Sequence, residues 1–260
     1  MLAQKEYGLN VDAAEAGKTL GVRFHVPNLI SELSVGDESI YKNMNGLFLI
    51  LVRVCLSVDV SPDFVVLQIV DADNPAFKIV FTRHMEDVRK SMAEALSRTD
   101  LQDRLLEEFV IGDKHIPFDP IEMDMVRLMM MAMEASTNQK IPSSTFELDE
   151  VQFTEFLTRV AENYMRRILR DQKAVNKQVV VREVSASFDP SQDEKKRQFR
   201  ILLDLVSHPR VRLSQGFLES EVLPLVAKEV GKILRSYRFK DFANILVVEK
   251  NSGKMLTVPR

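Results

Sequence analysis

Residues 178–207 read QVVVREVSASF–DPSQDEKKR–QFRILLDLVS, and that stretch decides the fold of the second half of the chain. Two strands are expected, 178–188 and 198–207, joined by a charged, exposed loop at 189–197. Upstream, residues 149–171 carry an apolar stripe of Val160, Tyr164 and Ile168 flanked by Phe153, Phe156, Leu157 and Leu169, the spacing of an amphipathic helix. Downstream, residues 217–237 place Leu218, Val222, Leu225, Val226, Ile233, Leu234 and Tyr237 on one side of a second helix. Pro224 falls early in it, which predicts a kink or a late start. A terminal hairpin is expected from 244–249, a turn at Asn251-Ser252-Gly253, and 255–258.

Charge is unevenly spread. From residue 156 to 260 there are 21 Lys and Arg against 12 Asp and Glu, while residues 1–155 hold 14 against 26, so the net charge of −3 hides a polarised chain. Such asymmetry points to a polyanion or an oppositely charged partner. The single cysteine, Cys55, cannot form an internal disulfide and sits in an apolar run as a buried thiol, which fits a reducing cytoplasm. The first residues have neither signal-peptide nor transit-peptide character. The longest apolar runs, 47–52 and 128–133, fall far short of the roughly 20 residues of a membrane helix, so no membrane role is expected.

The N-terminal half reads as a helix over 11–18, a short strand at 22–26 ending at Pro27, and three closely spaced strands at 47–58, 64–71 and 77–82. The separators Ser61-Pro62-Asp63 and Asp73-Asn74-Pro75 are turn chemistries, so an antiparallel meander is expected, with 47–58 central because both its faces are apolar. Helices follow at 85–96, at 101–110 with Thr99 or Asp100 as cap, and at 121–135, with a loop at 111–120 between the last two. The third helix contains Met123, Met125, Met129, Met130, Met131 and Met133, fit either for core filling or for an adaptable contact surface. The polar run 136–146 is the linker candidate. It divides an acidic α+β half, 1–135, from a basic α+β half, 147–260. The fold class is α+β, with mainly antiparallel sheets in two halves, each backed by amphipathic helices.

Phe77-Lys78-Ile79-Val80-Phe81 and Phe199-Arg200-Ile201-Leu202-Leu203 share a pattern, and each closes a strand series that leads to an amphipathic helix. Sheet followed by helix, twice over, resembles the Whirly-type single-stranded nucleic-acid-binding proteins across roughly residues 22–97 and 178–238. The resemblance implies two helix-backed antiparallel sheets and binding of a single strand. The family's Lys-Gly-Lys strand signature is missing and residues 101–171 have no counterpart in it, so no binding residue is carried over.

Catalytic patterns are absent. His25, His84, His115 and His208 stand apart, and no paired Cys or His spacing suggests a metal. There is no Gly-x-Ser-x-Gly elbow, and Gly17-Lys18-Thr19 lacks the earlier glycine of a phosphate loop, position 12 being Asp. The chain reads as a non-enzymatic binding protein without cofactor.

The candidate nucleic-acid surface comprises Arg166, Arg167 and Arg170 at the end of the long helix, where the helix dipole also favours them, with Lys173, Lys177 and Arg182 leading into the first strand. Lys195, Lys196, Arg197 and Arg200 lead into the second strand, Arg210 and Arg212 follow it, and Lys232, Arg235, Arg238 and Lys240 end the last helix. Gathered on one face, they would contact backbone phosphates in a salt-dependent way. Exposed Phe188, Tyr237 or Phe239 would then stack on bases. Codes for sequence-specific RNA modules are absent, so the expectation is single-stranded RNA or DNA bound with little specificity. The alternative is a structural or adaptor protein whose oppositely charged halves form homo-oligomers or dock partners.

Overall fold

The computed structural model describes residues 4–5, 8, 10–35, 38–57, 59, 61–117, 124–138, 146–208, 211 and 216–260. The chain forms two compact units, Met1–Val151 and Gln152–Arg260, and each is built on one mixed sheet. The fold is α+β.

In the first unit the strands lie side by side in chain order: β1 (Asp12–Ala16), β2 (Thr19–Val26), β3 (Phe64–Asp71), β4 (Phe77–His84), β5 (Leu106–Ile111) and β6 (Lys114–Pro117). β2 and β3 run parallel, and the other neighbours are antiparallel. The parallel pair is joined through helices α1 (Leu29–Val35) and α2 (Glu38–Ser57). This corrects the expected strand at 47–58 and the meander drawn from it. Leu47, Ile50, Leu51 and Cys55 are buried, whereas Leu49 and Leu56 stay 56% and 39% exposed, a burial pattern with the helical period. An apolar run without alternation cannot separate strand from helix by pattern, and its length favours helix. Burial pushes the Cys55 thiol up to about 11, although the Arg89 charge and a backbone hydrogen bond oppose the rise.

Three further expectations are corrected. Residues 12–16 form β1 instead of a helix, because pairing with β2 outweighs the helix propensity of their alanines. The turn that follows needs Gly17, whose φ is +54°. A β-carbon there would fall 2.1 Å from the Glu150 carboxylate, which accepts a hydrogen bond from the Lys18 backbone N–H at 3.0 Å. Helix α3 (Met85–Met92) precedes α4 (Arg98–Asp103). α4 is capped by the Ser97 hydroxyl, which accepts from the Asp100 N–H at 3.0 Å. It stops before β5, so 101–110 is helix only at its start. Phe109, Val110 and Ile111 are buried in succession, as a central strand requires. The expected loop at 111–120 is mostly the β5–β6 hairpin, turned at Gly112 (φ +58°), with 118–120 outside the described residues.

Helix α5 (Met125–Asn138) buries Leu128 and Ala132 and leaves Val126, Met129, Met130 and Met133 exposed; Met123 lies outside the described residues. Of the stretch 136–146, residues 136–138 close α5, 139–145 lie outside the described residues, and Phe146 packs beside Gly21. The core between helices and sheet includes Phe24, Leu29, Leu47, Leu67, Ile69, Ile79 and Met85, with Phe77 stacked on Phe109 at 5.6 Å. Each such side chain contributes about 1.5–3 kcal/mol on burial.

The second unit repeats the scheme. Helix α6 (Phe153–Asp171) and the short α7 (Lys173–Asn176) precede β7 (Val179–Phe188) and β8 (Gln198–Ser207). A π-helical turn (Leu218–Val222) opens into α8 (Leu223–Ser236), followed by β9 (Asn244–Glu249) and β10 (Met255–Pro259). The wide turn before Pro224 answers the missing N–H of that proline. The sheet order is β10-β9-β8-β7, with only β8 and β9 parallel. α6 packs on β7, and α8 on β9 and β10. Both units thus have a hairpin, a helical crossover and a second hairpin. The shared Phe-Lys/Arg-Ile pattern does not mark equivalent strands, because 77–81 lies in β4, after its crossover, and 199–203 in β8, before its own. Both segments alternate because each has one face in a core.

The β9–β10 turn is organised by the buried Glu249. Burial alone would raise its carboxyl. The Ser252 hydroxyl and the backbone N–H groups of Ser252, Asn251 and Leu205 all donate to it, and together they hold it below the ordinary 4.5. A lowered folded-state value means stability that is complete at neutral pH and disappears as pH falls from about 4.5 through the folded value. Glu249→Gln should cost about 1.5–3 kcal/mol at pH 7. Urea unfolding at pH 7 and pH 3 checks this: the difference from the unaltered chain should shrink in acid, and a difference independent of pH would contradict it.

Candidate nucleic-acid interface

The second unit carries 21 Lys and Arg against 13 Asp and Glu over residues 152–260, and its sheet has two separate ends. At one, Phe188 pairs with Phe199 and Gln198 with Asn244; at the other, Val179 pairs with Ser207. Ten residues of β7 put these ends about 30 Å apart, at roughly 3.3 Å per residue. Helix α6 starts at the first end, where the Phe153 ring meets Tyr237 and Phe239. It finishes at the second, where α7 leads into β7.

The basic residues singled out in the sequence therefore do not share one face. Arg166, Arg167, Arg170, Lys173 and Lys177 belong to the second end, and Arg182 occupies the irregularity in β7 between Val181 and Glu183. Arg167 lies over the Tyr164 ring at 5.4 Å, and Arg170 pairs with Asp171 at 3.3 Å. Lys195, Lys196 and Arg197 in the β7–β8 loop, Arg235 in the last turn of α8, and Arg238 and Lys240 after it belong to the first end. Arg197 is bonded to the Asp241 carboxylate and donates to the Gln192 carbonyl at 2.8 Å. Lys232 pairs with Glu229 at 2.6 Å. Arg200 is exposed on the sheet face away from the helices. Arg210 and Arg212 lie outside the described residues.

The β7–β8 loop shapes itself. Hydrogen bonds from the Ser191 hydroxyl and backbone N–H hold the Asp189 carboxyl below the ordinary carboxylate range, and Asp193 accepts from the Lys195 N–H at 2.9 Å. Lys195 and Lys196 remain exposed.

Between α8 and β10 lies a groove of about 580 Å³. Its apolar lining includes Ala227, Gly231, Ile245, Leu256 and Val258, and Phe239 and Phe242 stand at one end, their rings parallel at 5.9 Å. Lys228, Arg235, Arg238, Lys240 and Arg260 surround it, and no Asp or Glu lines it among the described residues. Lys228, Arg235, Arg238 and Lys240 form no ion pair among the described residues, in contrast to Arg197, Lys232, Lys250 and Lys254. Arg260 donates to the Lys240 carbonyl, tying the loop after α8 to the end of β10. A second depression of about 420 Å³ shares Lys240, Phe242, Pro259 and Arg260 with the groove and adds Lys195, Glu194 and Asp241.

Sequence reading missed Lys228 and Arg260. Pro224, Lys228, Gly231, Arg235 and Arg238 follow one another at helical spacing, and that stripe was the available signal for Lys228. Arg260 had none. Among the described residues, no group of three His, Cys, Asp or Glu is placed to hold a metal ion, and no helix is long and apolar enough to cross a membrane. Comparison of the chain with protein-family models, curated proteins and solved structures gave no match.

The expected stacking residues need correction. Tyr237 is buried, and Phe188 and Phe239 are half-buried in one aromatic cluster. Phe239 contacts Phe153, Phe188, Phe199 and Phe242 at centroid distances of 6.2, 5.2, 6.5 and 5.9 Å. Its ring is thus a structural wall of the groove. Phe239→Ala should lower the unfolding free energy by about 2–3 kcal/mol in chemical denaturation. Unchanged stability would mean that the ring is free for stacking alone.

Proposed function

We propose that the chain is a non-enzymatic binding protein for single-stranded nucleic acid, RNA or DNA, and that the groove between α8 and β10 is its principal contact. One observation carries this reading: four cations without carboxylate partners among the described residues converge on an apolar, aromatic-walled groove. Cations kept apart from carboxylates gain from an external anion what an internal ion pair would otherwise supply. An apolar lining beside them accommodates a base or sugar while the rim meets phosphates. The adjoining depression extends the track towards Lys195. No side chain there reads base edges in an evident pattern, so low sequence specificity is expected. The lone buried thiol of Cys55 suits a reducing, cytoplasmic setting.

A second reading, an adaptor that docks proteins or oligomerises, is favoured by the stripe Val126, Met129, Met130 and Met133 on α5, between 41% and 68% exposed at helical spacing. Mass measured across a concentration series without nucleic acid separates the two, since only the adaptor reading expects self-association.

Fluorescence anisotropy with labelled single-stranded RNA and its DNA equivalent tests the first reading. About four phosphate contacts give a salt slope near −3, or about a 50-fold loss of affinity between roughly 50 and 200 mM salt. Arg235→Ala combined with Lys240→Ala should weaken binding at least about tenfold and flatten the slope. Lys173→Ala with Lys177→Ala, at the far end of the sheet, should leave both unchanged. No binding by the unaltered chain at low salt, or equal losses in both variants, would overturn the proposal.

A further inference from the structure

Helix α8 reverses a regular preference at two positions, and both line the groove. Glycine is the poorest helix former after proline and is favoured just past a helix end, where a left-handed residue closes the last turn. In α8 the glycine, Gly231, is buried in the helix interior. Past its end the left-handed residue is an arginine, Arg238, with φ +54°. The closing hydrogen bonds are those of a helix normally finished by glycine: the Arg238 N–H donates to the Arg235 carbonyl at 3.0 Å and the Phe239 N–H to the Leu234 carbonyl at 2.9 Å.

The space around Gly231 explains half of the exchange. A β-carbon there would lie 3.1 Å from Nη1 of Arg235 and 3.6 Å from Cδ1 of Ile245. Glycine thus lets the Arg235 guanidinium fold back across the helix and keeps the groove floor open. No packing need explains Arg238, whose side chain is exposed at the groove rim. Glu94 closes α3 in the same left-handed way, with φ +57°; what sets Arg238 apart is that its exposed cation stands at the groove rim.

We infer that Gly231 and Arg238 are binding determinants: Gly231 seats Arg235 and the apolar part of a nucleotide, and Arg238 holds a cation on a phosphate at the expense of an easier helix end. This rests on the nucleic-acid reading given above. It goes further by assigning to two named positions an opposition between stability and binding.

Arg238→Gly, Arg238→Lys and Gly231→Ala in the full chain test it, each by thermal melting without ligand and by anisotropy with a labelled thymidine oligomer of about twelve nucleotides at several salt concentrations. Arg238→Gly should melt a few degrees higher, bind about fivefold or more weakly, and have a salt slope shallower by about 0.7, one phosphate fewer. Arg238→Lys should melt like the unaltered chain and keep most of the affinity and slope. Gly231→Ala should melt higher and bind more weakly. If the unaltered chain binds and Arg238→Gly leaves affinity and slope intact, or melts lower, the inference fails alone. If the unaltered chain does not bind, the nucleic-acid reading fails and takes the inference with it.

Discussion

Two neighbouring strands that run in the same direction cannot be joined by a tight turn, and in the second unit this constraint places the groove between α8 and β10. β8 ends at Ser207 at one end of the sheet and β9 begins at Asn244 at the other, parallel to it. The chain must return between them, and it does so as α8 packed on β9 and β10. The helix therefore ends beside the β7–β8 loop and the end of β10. The residues that follow it, Arg238 and Lys240, are brought against Arg260, and Lys195 is brought alongside. The groove follows from the topology, and the sequence along one stripe of α8 gives it charge.

Pairing, more than the number of charges, distinguishes this end of the sheet. Several basic side chains elsewhere in the unit are engaged: Arg170 with Asp171, Lys232 with Glu229, Lys250 with Asp204, Lys254 with Glu219. Surface pairs of this kind are each worth little, but they neutralise the field that an approaching anion meets. Two carboxylates near the groove are held elsewhere, while Glu194 lines the adjoining depression. Asp241 is bonded to Arg197, and Asp189 is turned into its own loop by Ser191. A polyanion would meet a concentrated positive field in a partly apolar recess, where screening is weaker than on an open surface.

Much of the second unit was legible in the sequence. β7, β8, the long helix and the terminal hairpin have clear periods and turn residues, and the early proline announced the irregular start of α8. The first unit was harder. Residues 47–57 are apolar all round and carry no period that separates strand from helix. Residues 12–16 have helix propensity that pairing overrides, and 106–111 look helical until β4 and β6 flank them. The strand expected at 47–58 also hid the parallel pairing of β2 with β3, because the connection into β3 then looked short. For the site, the helix-end cluster Arg235, Arg238 and Lys240 was visible. Its separation from Arg166 to Lys177 was not, since the two groups are set apart only by the direction of β7. Arg260 reaches the groove through a pairing between β9 and β10 that says nothing about ligands until the helix is placed.

The most direct measurement is a backbone amide NMR titration of the full chain with an unlabelled thymidine oligomer at low salt. The account predicts that shift changes concentrate on Lys228, Gly231, Arg235, Arg238 to Phe242, Val258 and Arg260, with smaller ones at Lys195. Changes centred on Lys173 and Lys177, or on the first unit, would contradict it.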